Sequence, residues 1–194
     1  TANHDSLTGL PNRRLLYLKL SSELSNPARK DILIFLLDLD RFKTINDTLG
    51  HMIGDILIKS VANRILDLLT PHSNYLVSRL GGDEFVVVFF QEDAGAMKAA
   101  YAKKILDCFG EPFHLGEHEL FITTSIGVYV HLPTNSDLDI DSIIKHADIA
   151  MYKAKEAGRN KFRIYSPGMD LKVANKFTIE TKLNQAIRNK EFLL

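Results

Sequence analysis

Residues 79–90 read "RLGGDEFVVVFF", and with Val77 just upstream they put Gly81-Gly82-Asp83-Glu84 at the joint between two strand-like runs. A Gly-Gly pair between runs of β-formers is a hairpin signal, because glycine accepts the positive φ angles that tight turns demand. The spacing predicts strands over 76–80 and 84–91 that form a core hairpin. Two carboxylates then sit at its tip, with Arg79 as the nearest counter-charge.

Outward from the hairpin, residues 32–39 are apolar on both faces and flanked by charge, the pattern of a central strand covered on both sides. After Asp40 the pattern becomes helical. Ile53, Ile56, Leu57, Val61, Ile65 and Leu68 recur at steps of three and four until Thr70-Pro71. Asn12 opens a first helix over 13–24, stopped by Asn26-Pro27, and 94–109 reads as another. Residues 119–131 alternate cleanly and predict a strand, with a short partner around 112–115. Asp141 or Ser142 is the expected cap of a helix carrying Ile143, Ile144, Ala147, Met151 and Ala154, closed by Gly158. A last strand spans 161–165.

The order helix, strand, helix, hairpin, helix, strand, helix, strand predicts an α/β (α+β) chain, one mixed sheet with helices packed on it. Residues 1–166 form the expected domain. Beyond Ser166-Pro167-Gly168 the composition turns polar and helix-like, and 167–194 reads as a linker to something longer.

At 194 residues, 45% apolar and 25% charged, the chain has the bulk character of one ordinary soluble domain. Lys plus Arg equals Asp plus Glu at 24 each, so no global field recruits nucleic acid or an anionic membrane. No apolar run approaches the roughly 20 residues that span a bilayer. The single cysteine, Cys108, excludes an internal disulfide and suits a reducing compartment, so the cytoplasm is the expected location.

Chemistry concentrates at three places. In "LLDLDRFKTIND" (36–47), Asp38 and Asp40 share one side of the strand at its C-terminal end, where backbone N–H groups of the following turn can cradle phosphate and Lys43 adds a positive charge. If the hairpin flanks this strand, Asp83 approaches Asp38, and two carboxylates with a nearby carbonyl suit Mg²⁺ that also takes phosphate oxygens. The plainer alternative is that Asp38 and Asp40 cap the next helix and 81–83 is only a turn. Asn46 and Asp55 could read a guanine edge, the carboxylate accepting from N1–H and the exocyclic amine, or be surface polar residues. Lys155 and Arg159 could clamp phosphate, or simply answer a helix dipole. His114 and His118 have zinc-like spacing, but Gly116 lies between them and no third ligand is evident.

Four ordered motifs carry a resemblance: "HDSLTGLPNRR" (4–14), "DLDRFKTINDTLGHMIGD" (38–55), "GGDEF" (81–85) and "YKAKEAGRNKF" (152–162). Together they resemble the GGDEF family of diguanylate cyclases over roughly residues 4–166. The resemblance implies a palm-like nucleotidyl-cyclase fold with a five-stranded-type sheet. It implies condensation of two GTP into cyclic di-GMP and two pyrophosphates by a homodimer, one GTP per domain. Asp38, the Leu39 carbonyl and Asp83 look like ligands of Mg²⁺, with Mn²⁺ as a substitute. Asp83 resembles the general base, and Lys43 the residue that stabilises phosphate charge. Arg41, Phe42 and Gly82 fall along the phosphates, Asn46 and Asp55 at the guanine with His51 nearby, and Lys155 and Arg159 at a phosphate clamp. Glu84 has no assigned role.

Two departures qualify this. Many members carry an Arg-x-x-Asp product-inhibition site where this chain has "HSNY" (72–75), so that site is expected to be absent. The tail "FTIETKLNQAIRNKEFLL" (177–194) is similar to the helix leading into an EAL phosphodiesterase domain, which implies a longer protein, with an upstream sensor and an EAL partner. A rival reading follows: a GTP-binding module that regulates its neighbour without turnover.

Overall fold

The computed structural model describes residues 2–28, 30–134 and 138–170. Its elements run α1 (Arg13–Leu24), β1 (Asp31–Leu39), α2 (Phe42–Leu49), α3 (His51–Leu69), β2 (Tyr75–Gly81), β3 (Glu84–Gln91) and α4 (Ala94–Asp107), then β4 (Phe113–Leu115), β5 (His118–Leu120), β6 (Thr124–His131), α5 (Ile140–Glu156) and β7 (Lys161–Ile164). The expected helix of 167–194 lies, beyond Asp170, outside the described residues.

Five strands form one mixed sheet in the order β2-β3-β1-β6-β7. The central β1 is antiparallel to both β3 and β6, and only β6 and β7 run parallel. Because side chains alternate along a strand, β1 supplies two cores. Leu33, Phe35, Leu37 and Leu39 pack with Leu57, Ile58, Val61 and Ile65 of α3 and Ile105 of α4. Ile32, Ile34 and Leu36 pack with Leu16 and Leu20 of α1 and Ile143, Ala147 and Met151 of α5. This is the physical basis of the two-sided apolar run. Where it stops, Asp38 emerges on the α1–α5 face.

Three sequence-based expectations are corrected in detail. The helix after Asp40 is two helices, broken at Gly50, whose φ of 85° is a left-handed turn that L side chains resist. The strand over 119–131 is also two pieces. Residues 118–120 pair with β4 in a separate small hairpin, and β6 starts only at Thr124. Between them Thr123 is drawn to Asp40, its carbonyl accepting from the Asp40 N–H at 2.9 Å. Finally, the cap of α5 is Asp139, whose side chain accepts from the Ser142 N–H.

Helix α5 lies on β6 at one point with no space to spare. A Cβ at Gly127 would run into the backbone of Ala147 and Met151. No helix among the described residues is long and apolar enough to cross a membrane.

Candidate functional site

The joint that opened the sequence folds as a turn between β2 and β3, with Gly81 at φ 142° and Gly82 at φ 52°. Arg79 does not neutralise the acids at the tip. Its Nη1 binds both carboxylate oxygens of Asp5 at 3.0 Å, while its Nε and Nη2 donate to the Gly82 carbonyl at 3.1 and 2.7 Å. Asp5 also accepts from the backbone N–H and the hydroxyl of Thr8. The N-terminal loop is thus tied to the turn that carries Asp83. Burial pushes the Asp5 carboxyl up, but the Thr8 hydrogen bonds and the Arg79 guanidinium outweigh it and hold its pKa below the ordinary value.

Freed of Arg79, the acids face β1. Glu84 is the register partner of Asp38, so the two side chains stand on one face of adjacent strands, a separation of roughly 5 Å between Cβ atoms. Asp83 sits at the corner, and its carbonyl accepts from the Leu39 N–H at 3.3 Å. Loss of solvent chiefly raises the Asp38 carboxyl, Lys155 pulls it back by hydrogen bonding, and the Asp83 charge raises it further. Glu84 is raised by burial and then by the charges of Asp38, Asp148 and Asp83. Asp148 on α5 is raised by desolvation, with Lys155 opposing. Crowded carboxylates that resist ionisation are an environment that a cation relieves.

One cation already reaches this centre: Lys155 Nζ lies 2.7 Å from Asp38 Oδ2. Arg159 does not share its helix face. Helix α5 ends at Glu156, and Arg159 sits beyond it in a left-handed turn, φ 63°, lining a pocket with Arg41. The sequence pair is therefore split between a carboxylate contact and a separate cavity.

Asp40, expected beside Asp38, is only 7% exposed and turned to a structural task. It does not cap α2, but it stays on the side of Asp38, whose carboxyl its charge helps to raise. It accepts from Thr123 Oγ1 at 2.6 Å, Ser125 Oγ at 2.7 Å and the Asn160 N–H at 3.0 Å, binding together the ends of β1, β6 and α5. The N-cap of α2 is instead Arg41, in the left-handed region and without a side-chain cap bond.

At the α2–α3 corner, Asn46 Oδ1 is buried with no hydrogen-bond partner among the described residues. Gly54 packs directly against it, and a Cβ at that position would occupy the space of the Asn46 amide and press on Phe42. His51, Lys43 and Asp55 are exposed around the same corner. A buried acceptor without a donor is costly by about 1–3 kcal/mol, which a ligand that donates there would recover.

Among the described residues, no three His, Cys, Asp or Glu side chains gather to enclose a metal by themselves. His114 lies 3.9 Å from Glu119 on an exposed hairpin and is no such site. Asp38, Asp83 and the Leu39 carbonyl nevertheless fit Mg²⁺, a hard cation that commonly takes one or two carboxylates and completes its shell with water and phosphate oxygens. At the expected position of the product-inhibition site, the His72 ring packs edge-on against Phe89 and Tyr101, and Tyr75 lies against Phe89.

Sequence reasoning left the functions of Asp5, Thr123, Ser125 and Asn160 unread, because each acts through a partner about 70 to 120 residues away. Glu84 could have been placed from period-two alternation, once β3 was paired with β1.

An α/β domain with an acidic centre at the end of its middle strand defines a class of nucleotide-handling folds, and comparison narrows it. The family described as diguanylate cyclase, GGDEF domain, matches residues 2–161. The chain belongs to the GGDEF family. It is 38% identical to the signaling protein YkoW of Bacillus subtilis, over all of this chain and 24% of that protein. It is 35% identical to the cyclic di-GMP phosphodiesterase PdeR of Escherichia coli, over all of this chain and 28% of that protein. It thus spans about a quarter of these relatives. The GGDEF domain of PA1120 (TpbB or YfiN) from Pseudomonas aeruginosa superimposes with a TM-score of 0.77 at 33% identity, covering 88% of this chain and 99% of that one.

Proposed function

We propose that this domain is a diguanylate cyclase, binding one GTP and joining it to a second GTP, held by a facing copy, to give cyclic di-GMP and two pyrophosphates. The observation that carries the reading is the convergence of Asp38, Asp83 and Glu84 at the ends of β1 and β3, where burial and mutual repulsion raise Asp38 and Glu84.

Asp38, Asp83 and the Leu39 carbonyl would hold Mg²⁺ or Mn²⁺, with Glu84 on the same face. When bound, such an ion lowers the pKa of a hydroxyl and neutralises phosphate charge. The chain's own groups do the rest. Asn46 and Asp55 orient the guanine, with His51 beside them, and the Asn46 acceptor takes a base N–H. Backbone N–H groups at Arg41 and Phe42, the Lys43 ammonium, Lys155 and Arg159 fix the phosphates. Gly82 lets the turn approach the nucleotide, and Asp83 accepts the proton of the attacking 3′-hydroxyl. Positioning two such nucleotides face to face supplies much of the rate, so a homodimer is the active form. The setting we propose is cytoplasmic, within a longer protein bearing an upstream sensor and an EAL domain.

One observation favours a second reading, a GTP-binding regulatory module without turnover: a relative of 35% identity is named a cyclic di-GMP phosphodiesterase. Incubating a covalently dimerised form with GTP and Mg²⁺, then separating the nucleotides, decides between them. Cyclic di-GMP is the expected product, and Asp83→Ala should abolish it while GTP binding persists. Tight GTP binding with no product would establish the regulatory module instead.

A further inference from the structure

On the α1–α5 face, a groove of about 800 Å³ runs beside the acidic turn, lined by Arg13, Arg14, Tyr17 and Leu18 of α1, by Leu80 and by Ile140. Arg13, Tyr17 and Leu80 are shared with a second hollow of about 280 Å³ that reaches Glu84 and Asp148. The groove thus leads to the carboxylate centre from the side of α1. Lys43, Asn46, Asp55, Lys155 and Arg159, which hold the domain's own GTP in the proposed function, line neither hollow.

Fold stability does not account for this lining. Arg13 and Arg14 are exposed in the first turn of α1, where the helix dipole disfavours cations. Arg13 lies beside the Tyr17 hydroxyl, which donates to Asp141 at 2.8 Å. Arg14 has no hydrogen-bond or ion-pair partner among the described residues, whereas Arg64 and Arg79 each bind several acceptors. Leu18 is 53% exposed beside them.

An apolar strip bordered by an uncommitted guanidinium fits a protein surface that carries an anion. The proposed reaction supplies one. The 3′-oxygen of one GTP bonds to the α-phosphorus of the other, pyrophosphate leaves with the electron pair of the broken P–O bond, and Asp83 takes the hydroxyl proton. A facing copy that brings its α-phosphate to Asp83 comes against Leu80 and Glu84, and hence against this groove. Resting on that reading, we propose that the groove seats the facing copy, and that Arg14, with Arg13 beside it, binds the triphosphate of the partner's GTP. A planar guanidinium suits a pair of phosphate oxygens. Each centre is then incomplete in one domain: its own residues hold base and metal, and the α1 of the facing copy adds charge at the transferred phosphate.

The test compares wild type, Arg14→Ala and Arg14→Lys, each as a dilute single chain and as a covalent dimer. Both forms are titrated calorimetrically, in Mg²⁺, with a GTP analogue whose α–β bridge is a methylene. In the single chain, Arg14→Ala should bind the analogue within about twofold of wild type. The wild-type dimer should bind it roughly tenfold more tightly than the single chain, the effect of one charge-assisted hydrogen bond. Arg14→Ala should lose that gain, and Arg14→Lys should keep part of it. With GTP, the Arg14→Ala dimer should lose roughly tenfold in kcat. An equal loss of affinity in single chain and dimer would put Arg14 in the domain's own site and overturn the proposal. So would unchanged affinity and turnover in the Arg14→Ala dimer. A wild-type dimer that binds the analogue but forms no product refutes the cyclase reading alone, because the gain in affinity and its dependence on Arg14 still decide the seat. A wild type that binds no analogue in either form overturns both.

Discussion

Arg79 shows how a single side chain decides what the acidic turn can do. A guanidinium two residues before Gly81 could have neutralised Asp83 or Glu84. It is instead held by Asp5 on one side and the Gly82 carbonyl on the other, which leaves the acids uncompensated and fixes the turn that carries them. The linkage has a definite sign. Asp5 is held below its ordinary value of 3.8 in the fold, so its contribution is complete above the carboxylate range and disappears as pH falls through the folded pKa. Asp5→Asn keeps the Thr8 acceptor but loses the charge facing Arg79. It should destabilise the domain by about 1–3 kcal/mol at neutral pH. That gap should close in acid, below the folded pKa, as read by urea unfolding across a pH series. A constant gap at all pH values would show that the pair contributes shape rather than charge.

At the scale of elements, α5 is the strut that joins the core to the site. Its buried face meets β6 through Gly127, and its last turn delivers Lys155 to Asp38. Gly127→Ala should push α5 off the sheet, because the new methyl meets backbone atoms that no rotamer change can move. The expected loss is about 3 kcal/mol, at the upper end of overpacking costs, with reduced GTP affinity as Lys155 shifts. Thermal melts and nucleotide titration check both. A neutral substitution would place the helix farther from the sheet than described.

The sequence made this strut legible as a helix, and made β1 legible as a buried strand, because periodicity of 3.6 and two-sided apolarity are local signals. The breaks were not legible. Gly50 could be read as a tolerated helix glycine until its positive φ was seen. Phe121 to Thr123 lie within the run read as one strand, yet fall between β5 and β6, where Thr123 is bonded to Asp40, some 80 residues earlier. The site divides along the same line. Asp38, Asp83 and Asn46 stood out by residue type and motif, whereas the parting of Lys155 from Arg159 depends on where α5 ends in space.

At the scale of the whole molecule, the cyclase reading makes output depend on two copies meeting, so the means of restraining that output matter. A surface Arg-x-x-Asp pair would offer a product its guanidinium and carboxylate. Here His72 and Tyr75 stand at those positions, and their rings are spent on Phe89 and Tyr101, whose own rings stack at 4.5 Å. An aromatic cluster of this kind is worth a fraction of what a charged pair gives a phosphate diester, since edge contacts add only about 0.5–1.5 kcal/mol beyond burial and supply no ionic hydrogen bonds. Product added to the GTP-free protein should therefore give no saturable binding that responds to His72→Ala or Tyr75→Phe. Turnover in a covalent dimer should continue as cyclic di-GMP accumulates, until substrate is exhausted. Calorimetric titration with cyclic di-GMP, repeated on both variants, reads this directly. Tight binding abolished by either substitution would show that the ring cluster opens to receive product, and that the restraint absent from the sequence is present in the fold.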